Sequence, residues 1–261
     1  KRFEMMKIKL SISLLVIVLL GGIAQTVSAH NSFMSPRVKE GPTSWNAIVF
    51  GHGCGENTII GSSVVFPNFS ESPTLQIFNQ SSGVFDPTED TIEMLYDTTM
   101  APFSYVIDRS VFSAGGVKVN DSDEAVGMWV GGGEGVPHSG SGAIKGFISV
   151  RFQPGTFVSD SCAAQIQFVL PMVDVCKITT ISGFKDGVVS LWMPDGVDTD
   201  YVIPGSGHTG ELVLTVERDL ISNKLPESCK DQKIYKVVPT AKQINTYMPV
   251  VINGKRAWPR K

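Results

Sequence analysis

The sequence predicts an all-β protein, an antiparallel β-sandwich of the immunoglobulin or cupredoxin-like kind that is stapled by disulfides. Three observations lead to this prediction. Short runs rich in Val, Ile, Phe and Thr alternate with breaks rich in Gly, Pro, Asn, Asp and Ser. These runs follow one another closely, without segments of helical period between them. The chain also contains four cysteines, an even number that suits disulfide formation in an oxidising compartment.

The first 29 residues predict a cleaved signal peptide. Lys7 and Lys9 precede an apolar run at residues 12–24, and the small-residue sequence "VSA" at residues 27–29 fits a signal-peptidase site. The apolar run is shorter than the roughly 20 residues that a membrane-spanning helix needs. Cleavage after residue 29 would leave His30 as the first residue and deliver a periplasmic or secreted protein without a membrane anchor.

Composition excludes several classes of protein. The 261 residues are 42% hydrophobic and 18% charged, which is typical of a folded chain and not of a disordered one. Without residues 1–29 the chain carries 18 basic and 24 acidic residues and no basic cluster, so a nucleic-acid partner is not expected. We expect one sandwich domain over residues 30–223 and a peripheral C-terminal extension over residues 224–261, where the sequence is polar and contains Pro.

The strand segments follow one another along this domain, each a short apolar or alternating run. They are "NAIVF" (46–50), "SSVVF" (62–66), "LQIF" (75–78), "FISVRF" (147–152), "AQIQFVL" (164–170), "VVSLW" (188–192) and "ELVLTVERDLI" (211–221). Only "TEDTIEMLYD" (88–97) has a pattern that fits a helix. The glycine-rich segment "VGGGEGVPHSGSG" (130–142) predicts a flexible loop.

The histidine at the predicted mature N-terminus has a specific chemistry. The α-amino nitrogen and the ring Nδ1 of His30 can chelate one metal ion together. Their reference pKa values are about 8 and about 6.5, so a metal can displace both protons near neutral pH. Two nitrogens in a plane, completed by oxygen or a third nitrogen, suit Cu(II). The sequence therefore predicts a copper site at His30.

Several landmarks in order resemble the YcnI-like periplasmic copper-binding family. Residues 42–68 contain a strand, an "HGCG" corner at residues 52–55 and a second strand that ends in Pro67. Downstream follow "VGMWVGGG", "GFISVRF", "FVLPMVDVC" and "VVSLWMPD", which resemble the later strands of that family. The resemblance covers roughly residues 29–195. It implies a β-sandwich that holds Cu(II) through its first residue.

The resemblance also implies further site residues. Trp129 would lie against the metal, and a glutamate is expected three residues before it. That position here is Val126, and we take Glu124 as the nearby carboxylate ligand in preference to Asp123. His52, in the "HGCG" corner, is a further candidate ligand.

The resemblance implies a disulfide pairing as well. From cysteine number alone, three pairings are open. Cys54 and Cys176 match the cysteines that the family shares, so the resemblance pairs them. Cys162 and Cys229 are then left to form the second disulfide.

The function we expect is a non-enzymatic, exported copper carrier for trafficking or sequestration, with another periplasmic or membrane copper protein as its exchange partner. Two alternatives stay open at this point. A copper oxidase of the lytic polysaccharide monooxygenase type also begins with His, and it would need His138 or His208 as a second histidine. A surface adhesion sandwich would bind no metal. The sequence contains neither G-x-S-x-G nor H-E-x-x-H, the motifs of two hydrolase classes.

Overall fold

The computed structural model describes residues 31–51, 54–97, 103–106, 111–137, 146–202 and 210–260. The predicted signal segment, residues 1–29, lies outside these ranges. Within them the chain is built mainly of β-strands, which confirms the predicted fold class. Three larger sheets and two small two-stranded ribbons account for the described strands. No helix among the described residues has the length and apolar character needed to cross a membrane.

The largest sheet has six strands, and two of its neighbouring pairs are parallel. In spatial order these are β2 (Arg37–Lys39), β16 (Val213–Glu217), β13 (Ala163–Val169), β17 (Lys233–Val238), β5 (Thr74–Asn79) and β6 (Val84–Pro87). The parallel pairs are β2 with β16 and β13 with β17. All other pairings between described strands are antiparallel.

The second sheet has five strands and carries both candidate sites discussed below. In spatial order these are β15 (Val189–Trp192), β14 (Met172–Val175), β4 (Ile59–Val65), β10 (Ala125–Val136) and β9 (Ala114–Val119). The third sheet consists of β1 (Ser32–Phe33), β3 (Ser44–Phe50), β11 (Gly146–Phe152) and β8 (Phe103–Tyr105). The two ribbons pair β7 (Tyr96–Asp97) with β12 (Thr156–Phe157), and β18 (Val250–Ile252) with β19 (Lys255–Trp258).

The inner faces of the three sheets meet in one hydrophobic core. In β11, for example, every second residue is buried and the residues between are more exposed. This alternation is expected of a strand that has one face on the core. Phenylalanines dominate the centre: the ring centroids of Phe103 and Phe152 are 4.7 Å apart, and those of Phe66 and Phe103 are 5.1 Å apart. Phe168 from the six-stranded sheet packs edge-on against both Phe103 and Phe152. Aromatic contacts therefore join all three sheets.

A second apolar cluster lies on the outer face of the five-stranded sheet. Helix α2 (Ala241–Tyr247) and the ribbon β18–β19 cover this face. Ile244 and Met248 of the helix segment and Trp258 of the ribbon pack against Val173 and Leu191 of the sheet. Strands β15 and β14 and most of β4 are thus buried on both faces, whereas the edge strand β9 is partly exposed.

The C-terminal segment is not a peripheral extension, and this part of the predicted domain division was wrong. Strand β17 lies inside the six-stranded sheet, between β13 and β5, and places Tyr235 and Val237 in the main core. The polar character of the segment hid this strand from the sequence analysis. Lys233 and Lys236 alternate with buried residues, so the run is less apolar than a central strand usually is.

Two smaller predictions also need correction. The segment 130–142 was expected to be a loop, yet β10 continues through Val136 with a register shift after Gly131, and residues 138–142 lie outside the described residues. Glycines permit this course: Gly135 has φ +70°, and a Cβ on it would lie 2.3 Å from the carbonyl oxygen of Ile59. In the predicted helix at 88–97, only α1 (Ile92–Leu95) is helical, and the last two residues form β7.

Both disulfides have the predicted partners. Cys54 is joined to Cys176 across 122 residues of sequence, and Cys162 is joined to Cys229 across 67. The first ties the corner between β3 and β4 to the end of β14. Each closes a long loop, which restricts the unfolded chain and so stabilises the fold.

A buried arginine organises the end of the sandwich next to the second disulfide. Arg218 donates to the carbonyl oxygen of Ser161 at 2.8 Å and to the side-chain oxygen of Asn223 at 2.8 Å. The Asn223 amide donates in turn to the Glu40 carboxylate at 3.0 Å. Glu40 also accepts the backbone N–H of Phe157 at 2.6 Å. This network satisfies backbone groups of the loop around Ser161 and of the short strand β12.

Lys118 fastens α2 to the five-stranded sheet. Its ammonium donates to the carbonyl oxygens of Tyr247 at 2.5 Å and Met248 at 3.1 Å, and to the hydroxyl of Ser63. The hydroxyl of Ser63 donates to the same Met248 carbonyl at 2.6 Å. A lysine therefore caps the carbonyl end of the helix, where a cation is favourable. Burial nevertheless lowers the pKa of Lys118 to about 7.

This lowered pKa predicts a pH dependence of stability. Between pH 7 and pH 10 the unfolded chain, in which the lysine has its ordinary pKa of 10.5, binds a proton that the folded chain does not. The free energy of unfolding should therefore rise with pH in this window, by at most about 1.4 kcal/mol per pH unit. Urea unfolding at pH 7, 8.5 and 10 measures the rise.

Lys118→Met should lose the rise, whereas Lys185→Met, at an exposed lysine, should keep it. An identical rise in the Lys118→Met variant would show that another group causes it.

Candidate functional site

The first described residue, Asn31, is anchored in the protein interior. Its side chain is 3% exposed. The amide Nδ2 donates to Oδ2 of Asp174 at 2.7 Å, and Oδ1 accepts the backbone N–H of Gly51 at 3.0 Å. The nitrogen and the oxygen of this amide are thus both hydrogen-bonded, so Asn31, which directly follows His30, has a fixed position.

Asp174 lies in the middle of β14 and points into the main core. It is 1% exposed, and its Oδ2 accepts a second hydrogen bond from Nε1 of Trp192 at 2.8 Å. A carboxylate so deeply buried is costly unless strong hydrogen bonds or a cation compensate for the lost water. The Asn31 amide and the Trp192 indole are two of these compensating groups.

The first disulfide holds the neighbouring corner against the same strand. The backbone N–H of Cys54 donates to Sγ of Cys176 at 3.1 Å, and Sγ of Cys54 lies 3.5 Å from the carbonyl oxygen of Asp174. The thioether sulfur of Met172 lies 3.8 Å from Nδ2 of Asn31. We call Asn31, Asp174, Trp192 and the Cys54–Cys176 disulfide the Asp174 cluster.

The predicted histidine ligands lie outside the described residues. This holds for His30 and His52, and equally for His138 and His208, which the oxidase alternative would need. The sequence nevertheless joins two of them directly to described positions. His30 precedes Asn31, and His52 follows Gly51, whose N–H is bonded to Asn31. The backbone attachment points of both histidines are therefore neighbours beside Asp174.

Trp129 lies on the face of the five-stranded sheet opposite to that of Asp174. In the β4 ladders, Asp174 pairs with Ser62, whereas Trp129 pairs with Ser63. Because successive residues of a strand point to opposite faces, Asp174 and Trp129 are separated by the sheet itself. The tryptophan that contacts Asp174 is Trp192, which the sequence analysis had placed in a closing strand of the domain.

Glu124 is engaged in a turn at the start of β10. Its carboxylate accepts hydrogen bonds from Ser70 Oγ at 2.5 Å, Asn120 Nδ2 at 2.6 Å and Asn68 Nδ2 at 3.1 Å. These bonds, with that of Ser70 the largest effect, hold the pKa of Glu124 below its ordinary value. The arrangement joins the 3-10 turn Phe69–Glu71 to the β9–β10 turn. Glu124 thus has a clear structural role.

Among the described residues, no group of three or more His, Cys, Asp or Glu side chains is arranged to hold a metal ion. The Asp174 cluster contains one carboxyl group, and the Met172 thioether lies next to the Asn31 amide. Sequence analysis missed Asp174, although one signal was present: the aspartate interrupts the apolar run "FVLPMVDVC". A charged residue in a run of that kind is rarely buried without a partner.

A groove lies on the outer face of the five-stranded sheet, and Trp129 belongs to it. Here a groove with a cavity volume of about 360 Å³ opens between the sheet and the β18–β19 ribbon. We call it the tryptophan groove, because Trp129 and Trp258 both line it. Its other lining residues are almost all apolar or glycine: Ile60, Gly61, Ser62, Ala114, Val130, Gly131, Gly132, Val175, Ile178, Val250, Ile252 and Ala257.

Two solved structures are similar to this chain. One is an uncharacterised protein from Nocardia farcinica described as having an immunoglobulin-like fold, with 16% identity, a TM-score of 0.34, and coverage of 73% of this chain and 99% of that one. The other is a type II cohesin dyad from the adaptor ScaA scaffoldin of Acetivibrio cellulolyticus, with 12% identity, a TM-score of 0.29, and coverage of 73% and 48%. Neither likeness carries information on function.

No family model matches the chain, and no curated protein matches it either.

The Asp174 cluster makes a stability prediction. Asp174→Ala leaves the buried donors of Asn31 and Trp192 without this acceptor. At about 1–3 kcal/mol for each donor, the free energy of unfolding should fall by roughly 2–6 kcal/mol, measured by urea denaturation.

The matched control is Asp86→Ala, since Asp86 accepts from Asn79 at 2.8 Å in an equivalent pair nearer the surface. That variant should lose less than about 1 kcal/mol. Equal losses in the two variants would contradict the role given to the buried pair.

Proposed function

We propose that the protein is an exported copper-binding protein, periplasmic or secreted, which holds Cu(II) through His30 as its mature N-terminal residue. One observation carries the proposal: Asn31, the next residue, is hydrogen-bonded at 2.7 Å to the buried carboxylate of Asp174. An N-terminus at His30 would therefore start beside the side chain of Asp174. The two disulfides agree with an oxidising compartment.

The donor set fits Cu(II). The α-amine and the imidazole of His30 supply two nitrogens, and Cu(II) favours planar nitrogen and oxygen donors. Asp174 supplies an oxygen ligand or, without direct coordination, a compensating charge. We assign this role to Asp174 and not to Glu124, because three hydrogen bonds hold Glu124 in its turn. His52, which follows Gly51, is the candidate for a third nitrogen.

The surroundings of Asp174 support a preorganised site. Trp192 fixes the carboxylate from one side, and the Cys54–Cys176 disulfide ties the histidine-bearing corner to the same strand. Groups that fix the ligands in this way usually set the affinity as much as the ligands do. A rigid carboxylate next to a two-nitrogen clamp at a chain terminus suits capture and release of copper. We therefore propose trafficking or sequestration, with another copper protein as exchange partner.

The decisive experiment uses protein that begins at His30. Cu(II) titration by calorimetry and electron paramagnetic resonance should show one Cu(II) per chain. Adding one Gly before His30 displaces the amine and leaves the imidazole, so tight binding should be lost. If the extended protein binds copper as tightly as the mature one, the N-terminal site is wrong.

A second pair of variants tests the carboxylate. Asp174→Asn keeps the shape of the side chain and removes its charge, so it should weaken Cu(II) binding at least tenfold, about 1.4 kcal/mol. Glu124→Gln should leave the affinity unchanged. If Glu124→Gln weakened Cu(II) binding and Asp174→Asn did not, the carboxylate of the copper site would be Glu124. Thermal unfolding of both variants shows whether the fold is retained.

Copper binding should also depend on pH and on the metal. Affinity should fall below about pH 6, because protons then compete for the imidazole and the amine. Zn(II) should bind more weakly than Cu(II), since divalent affinities peak at copper and zinc prefers a tetrahedral site. Competition titrations at pH 5, 6 and 7 measure both effects, and tighter Zn(II) binding would contradict the proposed site.

A further inference from the structure

The floor of the tryptophan groove is a row of small residues across the sheet. Gly61 pairs with Gly131 and with Val175, and Gly131 pairs with Ala114, so these four residues share the outer face. The next row on that face carries Trp129, whose indole lies over Gly116: a Cβ on that glycine would be 2.9 Å from Nε1. The small side chains in the first row leave empty space next to the Trp129 indole, and this space is the groove.

The walls of the groove leave it open to solvent on one side. Trp258 of the β18–β19 ribbon is buried, but Ile178 is 69% exposed and Ile252 is 38% exposed at the mouth. Apolar side chains that surround an open cavity of this size are typical of ligand sites. The volume of about 360 Å³ lies at the lower end of the range for such sites.

Positive charge lies at the same mouth. In the ribbon, Ile252 pairs with Lys255, so the two side chains share the face that borders the groove. Lys177 directly precedes Ile178 and is exposed. Asp174 adjoins Val175 in sequence, but its side chain points to the opposite face of the sheet. The next acidic residue in sequence is Glu134, on β10 two residues beyond Gly132. The mouth therefore combines exposed apolar side chains with the positive charge of Lys255, and Lys177 adjoins it in sequence.

We propose that the tryptophan groove binds the hydrocarbon chain of a free, medium-chain carboxylate, with the carboxylate group at Lys255. The apolar floor and the two tryptophans bury the chain, and charge complementarity at the mouth selects an anion over a neutral or cationic head group. This site lies on the opposite face of the sheet from the Asp174 cluster and does not depend on copper.

The floor offers a variant that fills the groove without disturbing the fold. A Cβ on Gly131 would meet its nearest neighbours, the Ile60 carbonyl oxygen and the Gly61 Cα, at 3.5 and 3.8 Å, which are ordinary contacts. Gly131→Val therefore places a branched side chain in the groove, on a strand that accepts one readily.

The experiment titrates the full mature protein with decanoate and follows tryptophan fluorescence and binding heat. Decanoate should bind to one site, and decanol and decyltrimethylammonium at least tenfold more weakly, about 1.4 kcal/mol. Gly131→Val should lose decanoate binding with an unchanged unfolding temperature. Lys255→Glu should weaken decanoate at least threefold, whereas Lys230→Glu, at an exposed lysine in the loop before β17, should not.

Several results would overturn the proposal. These are no saturable decanoate binding, equal affinity for the three head groups, or unchanged binding by a folded Gly131→Val variant. Sedimentation with anionic vesicles in the absence of decanoate binding would show that the groove meets a membrane surface. Concentration-dependent dimerisation that Gly131→Val abolishes would show that it meets a second copy. Either result excludes the carboxylate site.

Discussion

Burial of β15, β14 and most of β4 on both faces of the five-stranded sheet is the constraint on which the rest of the structure depends. The inner face of these strands forms part of the main core, and their outer face packs against α2 and the β18–β19 ribbon. Such strands have no solvent-facing side, so a polar group on them needs a partner inside the protein. Asp174 and Ser63 meet this demand on opposite faces, the first with Asn31 and Trp192, the second with Met248 and Lys118.

The burial of individual strands explains what the sequence could predict. The runs at 46–50, 62–66 and 164–170 are apolar because their strands are buried, and they were placed correctly. Both disulfides also have the expected partners. Strand β17 was missed because its lysines interrupt the apolar pattern, and the end of β10 because its glycines resemble a loop. A glycine-rich segment becomes a strand only where a neighbour approaches too closely for side chains, which local sequence does not reveal.

The candidate site was predictable in part. The chemistry of an N-terminal histidine follows from the sequence alone, but the direction of Trp129 does not. Ser62 and Ser63 are adjacent on β4, and a ladder shifted by one residue would have exchanged the faces of Asp174 and Trp129. Register is set by packing of the whole sheet. The two proposed sites are consequently separated by one layer of backbone, so a substitution in one can be tested without altering the other.

The position of β17 has a consequence for how the chain is made. Synthesis runs from the N-terminus, so β5 and β13 leave the ribosome well before the strand that separates them in the sheet. Until Lys233–Val238 has been translated, the edges that β5 and β13 present to β17 have no partner, and unpaired edges of that kind are the usual starting points of aggregation. A chain that ends before residue 233 would keep both of these edges unpaired.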